Sequence, residues 1–453
     1  MFHLLAPPEA AVARYTLLWR GVRPLTLRCR SLRSRRVTAL EFHPQRDTLI
    51  LSADKRGQLA FWDYQDVFDR TVLDSPAVHL WLISAVRFMG ADGEYVYTAS
   101  MDGSVARVNC ETHGVERIAE LNAGIAPPTG EDGDTEVGRN WRSVYAMDVD
   151  ASRRCCLLGD DRGEVHVADA RCNALAGSML AAKKGTKIVS ISVNPADPCA
   201  FVTAGNDHVA RVWDIRRCGL RGEGAAEAAP ALAGNKALSL ALASLPHPRV
   251  INSAVFSPLT GRKLLTTCQD NRLRVWDNVA SLSASHASPS PPDRELVHSH
   301  DFSRYLTAFK AVWDPKDTSE SAFVIGRYIS EDVGGRALHP VDYLSAANGR
   351  LLAAMKDANV ATICPVAVPH PRRDAVATGS SRNIYVWEPE DDDVSAEAER
   401  AAAAGAERAR AAIPRLLDLD VGAEKKKRGA RDDDDDDDGP GFGGGKKKAG
   451  KAV

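Results

Sequence analysis

The 453-residue chain has no apolar run near the ~18 residues that a membrane-crossing helix needs. Its start, MFHLLAPPEA, lacks the basic stretch and long apolar core of a secretory signal. The nine cysteines are odd in number and scattered, with no CxxC pair and no zinc-ligand spacing. Reduced thiols of an intracellular protein are therefore expected, and no metal. Cys155 and Cys156 are adjacent in an expected strand, so their side chains should enter opposite faces. There is no GxSxG, HExxH or Walker loop, and no GxGxxG after a strand. No catalytic residue or cofactor is expected, and a binding platform is favoured over an enzyme. The net charge of −2 argues against a globally basic nucleic-acid binder. Positive charge is instead concentrated: residues 14–36 hold Arg14, Arg20, Arg23, Arg28, Arg30, Arg33, Arg35 and Arg36 and no acid. Such an arm is either simply solvated or a footprint for a polyanion.

What the chain does have is a repeat. In FVTAGNDHVARVWDIR (201–216), Phe201–Thr203 is apolar and β-branched, Gly205-Asn206-Asp207 is a turn cluster, and the segment from Val209 to Val212 alternates. Trp213-Asp214 closes the unit, as in one blade of a WD-type propeller. Similar units end at Asp63, Asn109, Asp169, Asp277 and Trp387, with a weaker copy beginning at Ala311. About seven units are expected, hence an all-β, seven-bladed WD40 propeller. Stretches around 110–140, 218–250 and 278–305 read as insertions that form loops, with 218–245 a mobile Ala/Gly-rich one.

Three regions follow: a basic arm over 1–34, the propeller over 35–394, and a tail over 395–453. The tail carries KKKR (425–428), an unbroken Asp432–Asp438 run and KKK (446–448). Blocks of this kind are expected to be disordered. KKKR fits a nuclear-import signal, so a nuclear location is expected.

Arg216, two places after Trp213-Asp214, should sit just beyond the strand, where a planar guanidinium can pair with a partner's carboxylate or form a local salt bridge. The stretches RRVTALEFHP (35–44), KGTKIVSISVNP (184–195), VWDIR (212–216) and SHDFSRYLTAFKAVWDPKD (299–317) are joined by VIGRYISED (324–332) and ATGSSRNIYVW (377–387). Taken in order, they resemble plant and algal members of the DNA damage-binding protein 2 family. Those are WD-repeat substrate receptors of a cullin-4 RING ubiquitin ligase, docked on the adaptor DNA damage-binding protein 1.

The resemblance implies binding of damaged double-stranded DNA, with Arg35 and Lys55 on phosphates and Lys187 and Gln269 as further contacts. It implies a minor-groove wedge at Ser303, Arg304 and Tyr305, anchored by Leu306 and Thr307; a one-step shift would bring in Phe302. A lesion pocket falls at Ser143 or Trp141. Asp214 and Arg216 would meet the adaptor. Each has a plainer reading: a solvated turn for Lys187, a backbone-bonding turn side chain for Gln269, a rim aromatic for Tyr305. The alternative function is a scaffold for histone tails or other proteins without DNA affinity.

Overall fold

The computed structural model describes residues 36–65, 70–74, 77–125, 127, 140–218, 235–282, 290–301, 307–328, 340–355, 360 and 362–388. The chain divides into two compact units, residues 1–124 with 142–389, and residues 125–141 with 390–453. The description concerns the first. The expected arm and tail lie outside the described residues, as do Arg35 and 302–306.

The first unit is a seven-bladed β-propeller. Blade 1 consists of β1 (Val37–Phe42), β2 (Leu49–Asp54), β3 (Leu59–Asp63) and β4 (Arg70–Leu73). Blade 2 is β5 (Ile83–Phe88), β6 (Tyr95–Ser100), β7 (Ser104–Asn109) and β8 (Val115–Glu120). Blade 3 is β9 (Val144–Asp150), β10 (Cys155–Asp160), β11 (Glu164–Asp169) and β12 (Ala174–Leu180). Blade 4 is β13 (Ile188–Val193), β14 (Ala200–Gly205), β15 (Val209–Asp214) and β16 (Ala243–Pro246). Blade 5 is β17 (Ile251–Phe256), β18 (Leu264–Cys268), β19 (Arg272–Trp276) and β20 (Arg294–Val297). Blade 6 is β21 (Val312–Trp313), β22 (Ala322–Gly326), β23 (Val341–Ser345) and β24 (Leu351–Met355). Blade 7 shows three strands among the described residues, β25 (Val366–Pro369), β26 (Val376–Gly379) and β27 (Ile384–Trp387). Among the described residues two single-turn helices, α1 (Asn235–Leu238) and α2 (Val279–Leu282), sit in connections.

Three supposed insertions hide regular structure, which corrects the loop expectation. β8 lies within 110–140, α1 and β16 within 218–250, and α2 and β20 within 278–305. The physical reason is that these are fourth, outer strands. VERIAE, ASLP and RELV are mostly exposed or half-exposed, so they carry little apolar alternation to read.

The repeat's tryptophan has a structural task. The fully buried indoles of Trp213 and Trp387 donate their N–H to Thr203 Oγ1 (2.9 Å) and Thr378 Oγ1 (2.8 Å) on the neighbouring strand. Trp62 does the same to Ser52 Oγ at 2.8 Å. An indole buried without that acceptor would cost about 1–3 kcal/mol. Cys155 and Cys156 do enter different clusters, one between blades 3 and 4, the other between blades 2 and 3. Blade 1 closes on blade 7 through Val37, Leu40 and Phe42 against Ala375, Ala377 and Ile384, with Val37 N donating to Ser380 O at 3.2 Å.

A second device staples neighbouring blades through the turns after their first strands. His43 Nδ1 accepts the amides of Gln45 and Arg46, and its Nε2 donates to Gly93 O of blade 2 at 3.0 Å. Asn194 repeats this in blade 4: Oδ1 accepts the Ala196 and Asp197 amides, and Nδ2 donates to Gly261 O of blade 5 at 3.0 Å. His370 closes the circle from blade 7 to Asp47 O of blade 1 at 2.9 Å.

Candidate nucleic-acid interface

Because neighbouring strands are antiparallel, each blade presents two ends. The turn from second to third strand shares one end with the connection into the first strand. The turns after the first and third strands share the other.

At the first end the backbone is fixed by a recurring bond. The residue after the second strand donates its N–H to the residue before the first. Lys55 gives to Arg36 O (3.1 Å), Met101 to Leu82 O (2.9 Å), Asp161 to Ser143 O (3.1 Å), Asn206 to Lys187 O (2.9 Å) and Gln269 to Val250 O (2.9 Å). Lys55 and Gln269, far apart in sequence, thus occupy equivalent places, and Lys187 the partner place, on one end of the ring. Glycines in the turns pack these sectors together. At Gly57 (φ 83°) an added Cβ would meet the carbonyls of His79 and Trp81 at 2.5 and 2.7 Å, and at Gly103 (φ 83°) that of Arg142 at 2.8 Å.

Lys55 is exposed. Lys187 is half-buried, with Nζ donating to Tyr145 Oη at 2.8 Å and lying 4.4 Å from that ring's centre. Gln269 donates from Nε2 to Asn252 Oδ1 at 2.9 Å, so its side chain is held by a side chain rather than by backbone. Ser143 is buried, its amide on Asp161 Oδ1 at 3.1 Å; Trp141, also buried, belongs to the second unit. Ser303, Arg304 and Tyr305, expected as a wedge, lie outside the described residues with Phe302, Leu306 and Arg35. The described residues on either side of 302–306 are bonded at this end: Asp301 N donates to Asn271 Oδ1 (2.7 Å), Thr307 Oγ1 to Val37 O (3.3 Å) and Lys310 Nζ to Val189 O (3.4 Å). Burial and the nearby Arg87 push the Lys310 ammonium down to about 8.

Sequence reasoning missed other cations here. Arg56 and Arg162 stand in matching turns, DKRG (54–57) and DDRG (160–163), whose first aspartate accepts their amides at 2.8 and 2.9 Å. Comparing the turns of blades 1 and 3 would have found them. Lys183, Lys184 and Arg249 are exposed in connections into first strands. One cluster has ligand chemistry for a cation: Asp160, Glu164 and His166 offer atoms within 4.8 Å of one another. The Arg142 guanidinium already lies among them, 2.5 Å from Asp160 and 2.8 Å from Glu164.

The opposite end carries Asp214 and Arg216. Arg216 Nε and Nη2 reach Asp214 Oδ1 and Oδ2 at 3.0 and 2.7 Å, and the arginine side chain remains 67% exposed. The guanidinium holds the Asp214 carboxyl below the usual range. Sequence reading missed the twin in blade 3, where Arg171 Nε and Nη2 reach Asp169 Oδ1 and Oδ2 at 3.1 and 2.7 Å. The shared signal is Asp-x-Arg after a third strand.

No family model matches the chain. Among curated proteins, rice (Oryza sativa subsp. japonica) DNA damage-binding protein 2 is 42% identical over 369 residues, 81% of this chain and 57% of the rice protein. Protein DAMAGED DNA-BINDING 2 of Arabidopsis thaliana is 39% identical over 359 residues, 79% of this chain and 58% of its own length. Over about four-fifths of its length the chain is thus similar to the two plant proteins. Its likeness to the plant members exceeds that to the chicken (Gallus gallus) protein of the same name, 27% identical over 361 residues, 79% of this chain and 63% of the chicken protein. The chain spans less than three-fifths of the two plant relatives.

Proposed function

We propose that this chain is a member of the DNA damage-binding protein 2 family that recognises UV-damaged double-stranded DNA and serves as a substrate receptor. It links lesions to a cullin-4 RING ubiquitin ligase for nucleotide excision repair in the nucleus. DNA lies on the end carrying Lys55, Lys187 and Gln269, with Arg35 on the backbone and Ser303-Arg304-Tyr305 as the wedge. The adaptor DNA damage-binding protein 1 docks at the other end, on Asp214 and Arg216. The protein binds and presents; it performs no bond chemistry of its own.

One observation carries this reading: Lys55, Lys187 and Gln269, distant in sequence, fall on one end of the ring, and the paired Asp-x-Arg forks on the other. Lysines and arginines along an inner rim suit the phosphate backbone, while the recognition step exploits the lower cost of extruding bases that have lost stacking. The test is binding of the purified chain to a duplex with one photolesion and to the same duplex intact, across a salt series. Tighter binding to the lesion and a linear fall of log affinity with log salt are expected. Equal, salt-insensitive affinities would instead identify a protein scaffold.

A further inference from the structure

We propose that His298 and His300 together hold one proton more than two neutral rings carry, forming a charged imidazole pair that clamps the Gln269 turn to blade 6 and on which the grip on DNA depends. The proposal rests on the DNA-binding reading above and adds its regulation. Both rings are buried, and their Nδ1 atoms lie 3.1 Å apart. His300 Nε2 lies 2.7 Å from Cys268 O, the carbonyl directly before Gln269. His298 Nε2 lies 3.1 Å from Asp342 Oδ2 on β23. A backbone carbonyl only accepts, so His300 Nε2 carries a proton. Arg327 Nη1 donates to the same Asp342 oxygen at 3.1 Å, which keeps that carboxylate ionised, so His298 Nε2 carries another. The two Nδ1 atoms need a third between them. Three N–H protons on four nitrogens give the pair one positive charge.

The surroundings fix where the charge rests. Burial and the neighbouring His298 push the His300 imidazole down to about 4. His300 is therefore the acceptor, and His298 the imidazolium that donates from both nitrogens. Asp270, in the turn after β18, carries Arg274 at 2.5 Å, and Asp301 faces Arg249 at 3.7 Å. Burial pushes the Cys268 thiol up, so it stays neutral. Asp342, shared with Arg327, is the counter-ion of the pair. The backbone shows what is clamped. Asn271, two residues beyond Gln269, accepts the His298 amide on its carbonyl at 3.0 Å. Its Oδ1 accepts the His300 and Asp301 amides at 2.9 and 2.7 Å. Tyr328, two residues after β22, donates its N–H at 2.9 Å to the carbonyl of Ser299, which stands between the two histidines. One short segment thus joins the Gln269 turn of blade 5 to Arg327 and Tyr328 of blade 6, at the end that carries Lys55. Without the extra proton, one of the three buried bonds becomes two facing lone pairs, and a buried polar atom left in that state loosens the clamp.

The experiment uses the full chain with Asp342→Asn, His300→Asn and His300→Leu. In Asp342→Asn the new amide donates to His298 Nε2, so all three bonds persist with two neutral rings. In His300→Asn the amide oxygen and nitrogen replace Nδ1 and Nε2, as Asn194 does for the histidine staples. Heteronuclear NMR of the histidine rings at pH 7, without DNA, counts the protons: three N–H in wild type, two in Asp342→Asn. Affinity for a photolesion duplex is then followed from pH 7 to 9.5. The clamp is complete while the shared proton is held and is lost as pH rises, so wild type should weaken about fivefold, the size of one hydrogen bond. Asp342→Asn should remove that fall; a fall common to both chains belongs to other groups, such as Lys310. His300→Asn should keep wild-type affinity at pH 7, and His300→Leu should show the alkaline wild-type value throughout. Two N–H protons in wild type overturn the pair, and identical pH profiles in wild type and Asp342→Asn overturn its hold on DNA. If Asp342→Asn does not fold, the His300 variants decide, and equal losses in both would reduce the site to packing. A wild type that fails to prefer the lesion over an intact duplex at pH 7 sinks the function reading instead, while the proton count still judges the pair.

Discussion

Lys187 shows how one side chain is readied for an anion. Tyr145, one blade away, meets its ammonium with both hydroxyl and ring, a cation–π contact of about 0.5–1 kcal/mol in a wet setting. The tether limits where Nζ can go without neutralising it. Lys187→Glu should weaken lesion and intact duplexes alike and flatten the salt dependence by about one ion equivalent, measured by fluorescence anisotropy. An unchanged slope would take Lys187 off the DNA. Tyr145 was illegible in the sequence because nothing in a strand of alternating residues says which partner its hydroxyl finds. Arg216 is the reverse case. Its Asp-x-Arg spacing was readable, but the sequence left a partner's carboxylate and a local bridge open, and the local bridge is present. The fork still exposes most of the guanidinium. Arg216→Ala should reduce adaptor affinity at least about tenfold in a pull-down titration and leave the melting temperature unaltered. Undiminished adaptor binding would remove this side chain from the contact.

At the scale of elements, inner strands were legible and outer ones were not. β13 to β15 announce themselves by apolar residues and turn clusters because β14 is buried along most of its length and β13 and β15 bury part of theirs. β8 and β20 bury little and read as loop. The staples explain the His-Pro and Asn-Pro steps that otherwise looked like ordinary turn residues. They also give a pH dependence. His43 and His370 must keep Nδ1 unprotonated to accept two amides, and burial holds both below the ordinary histidine value. Burial likewise brings His247 down to about 4. Each folded value lies below the unfolded one, so the unfolded chain binds more protons below about pH 6.5. Stability from these groups is complete above that pH and is lost as pH falls towards the folded values. The melting temperature should be level from pH 8 to 7 and decline below about 6.5. The chain supplies its own control in Asn194, which makes the same staple without titrating. His43→Asn should preserve stability at pH 7.5 and make the decline between pH 6.5 and 5 shallower. An identical decline in the variant would place the proton uptake elsewhere.

The whole ring sets how its two ends communicate. Blade 1 is packed on blade 7, and the staples at His43, Asn194 and His370 bind blades at the end opposite Lys55 and Lys187. Packed interiors resist small deformations rather than passing them on continuously. Lys187 and Arg216 both belong to blade 4, before its first strand and after its third, so they are the sharpest probe of any coupling. Substitutions without shared partners usually add within about 0.3–0.5 kcal/mol. The Lys187→Glu/Arg216→Ala double variant should therefore show the DNA loss of the first and the adaptor loss of the second, each at its single-variant size. The measurement is a full cycle: DNA affinity with and without saturating adaptor, for wild type, both singles and the double. Constant DNA affinity across the adaptor arms is the expected result. If the adaptor instead tightens DNA binding in wild type and this gain disappears with Arg216→Ala, the two ends are coupled and the ring is not the rigid spacer argued for here.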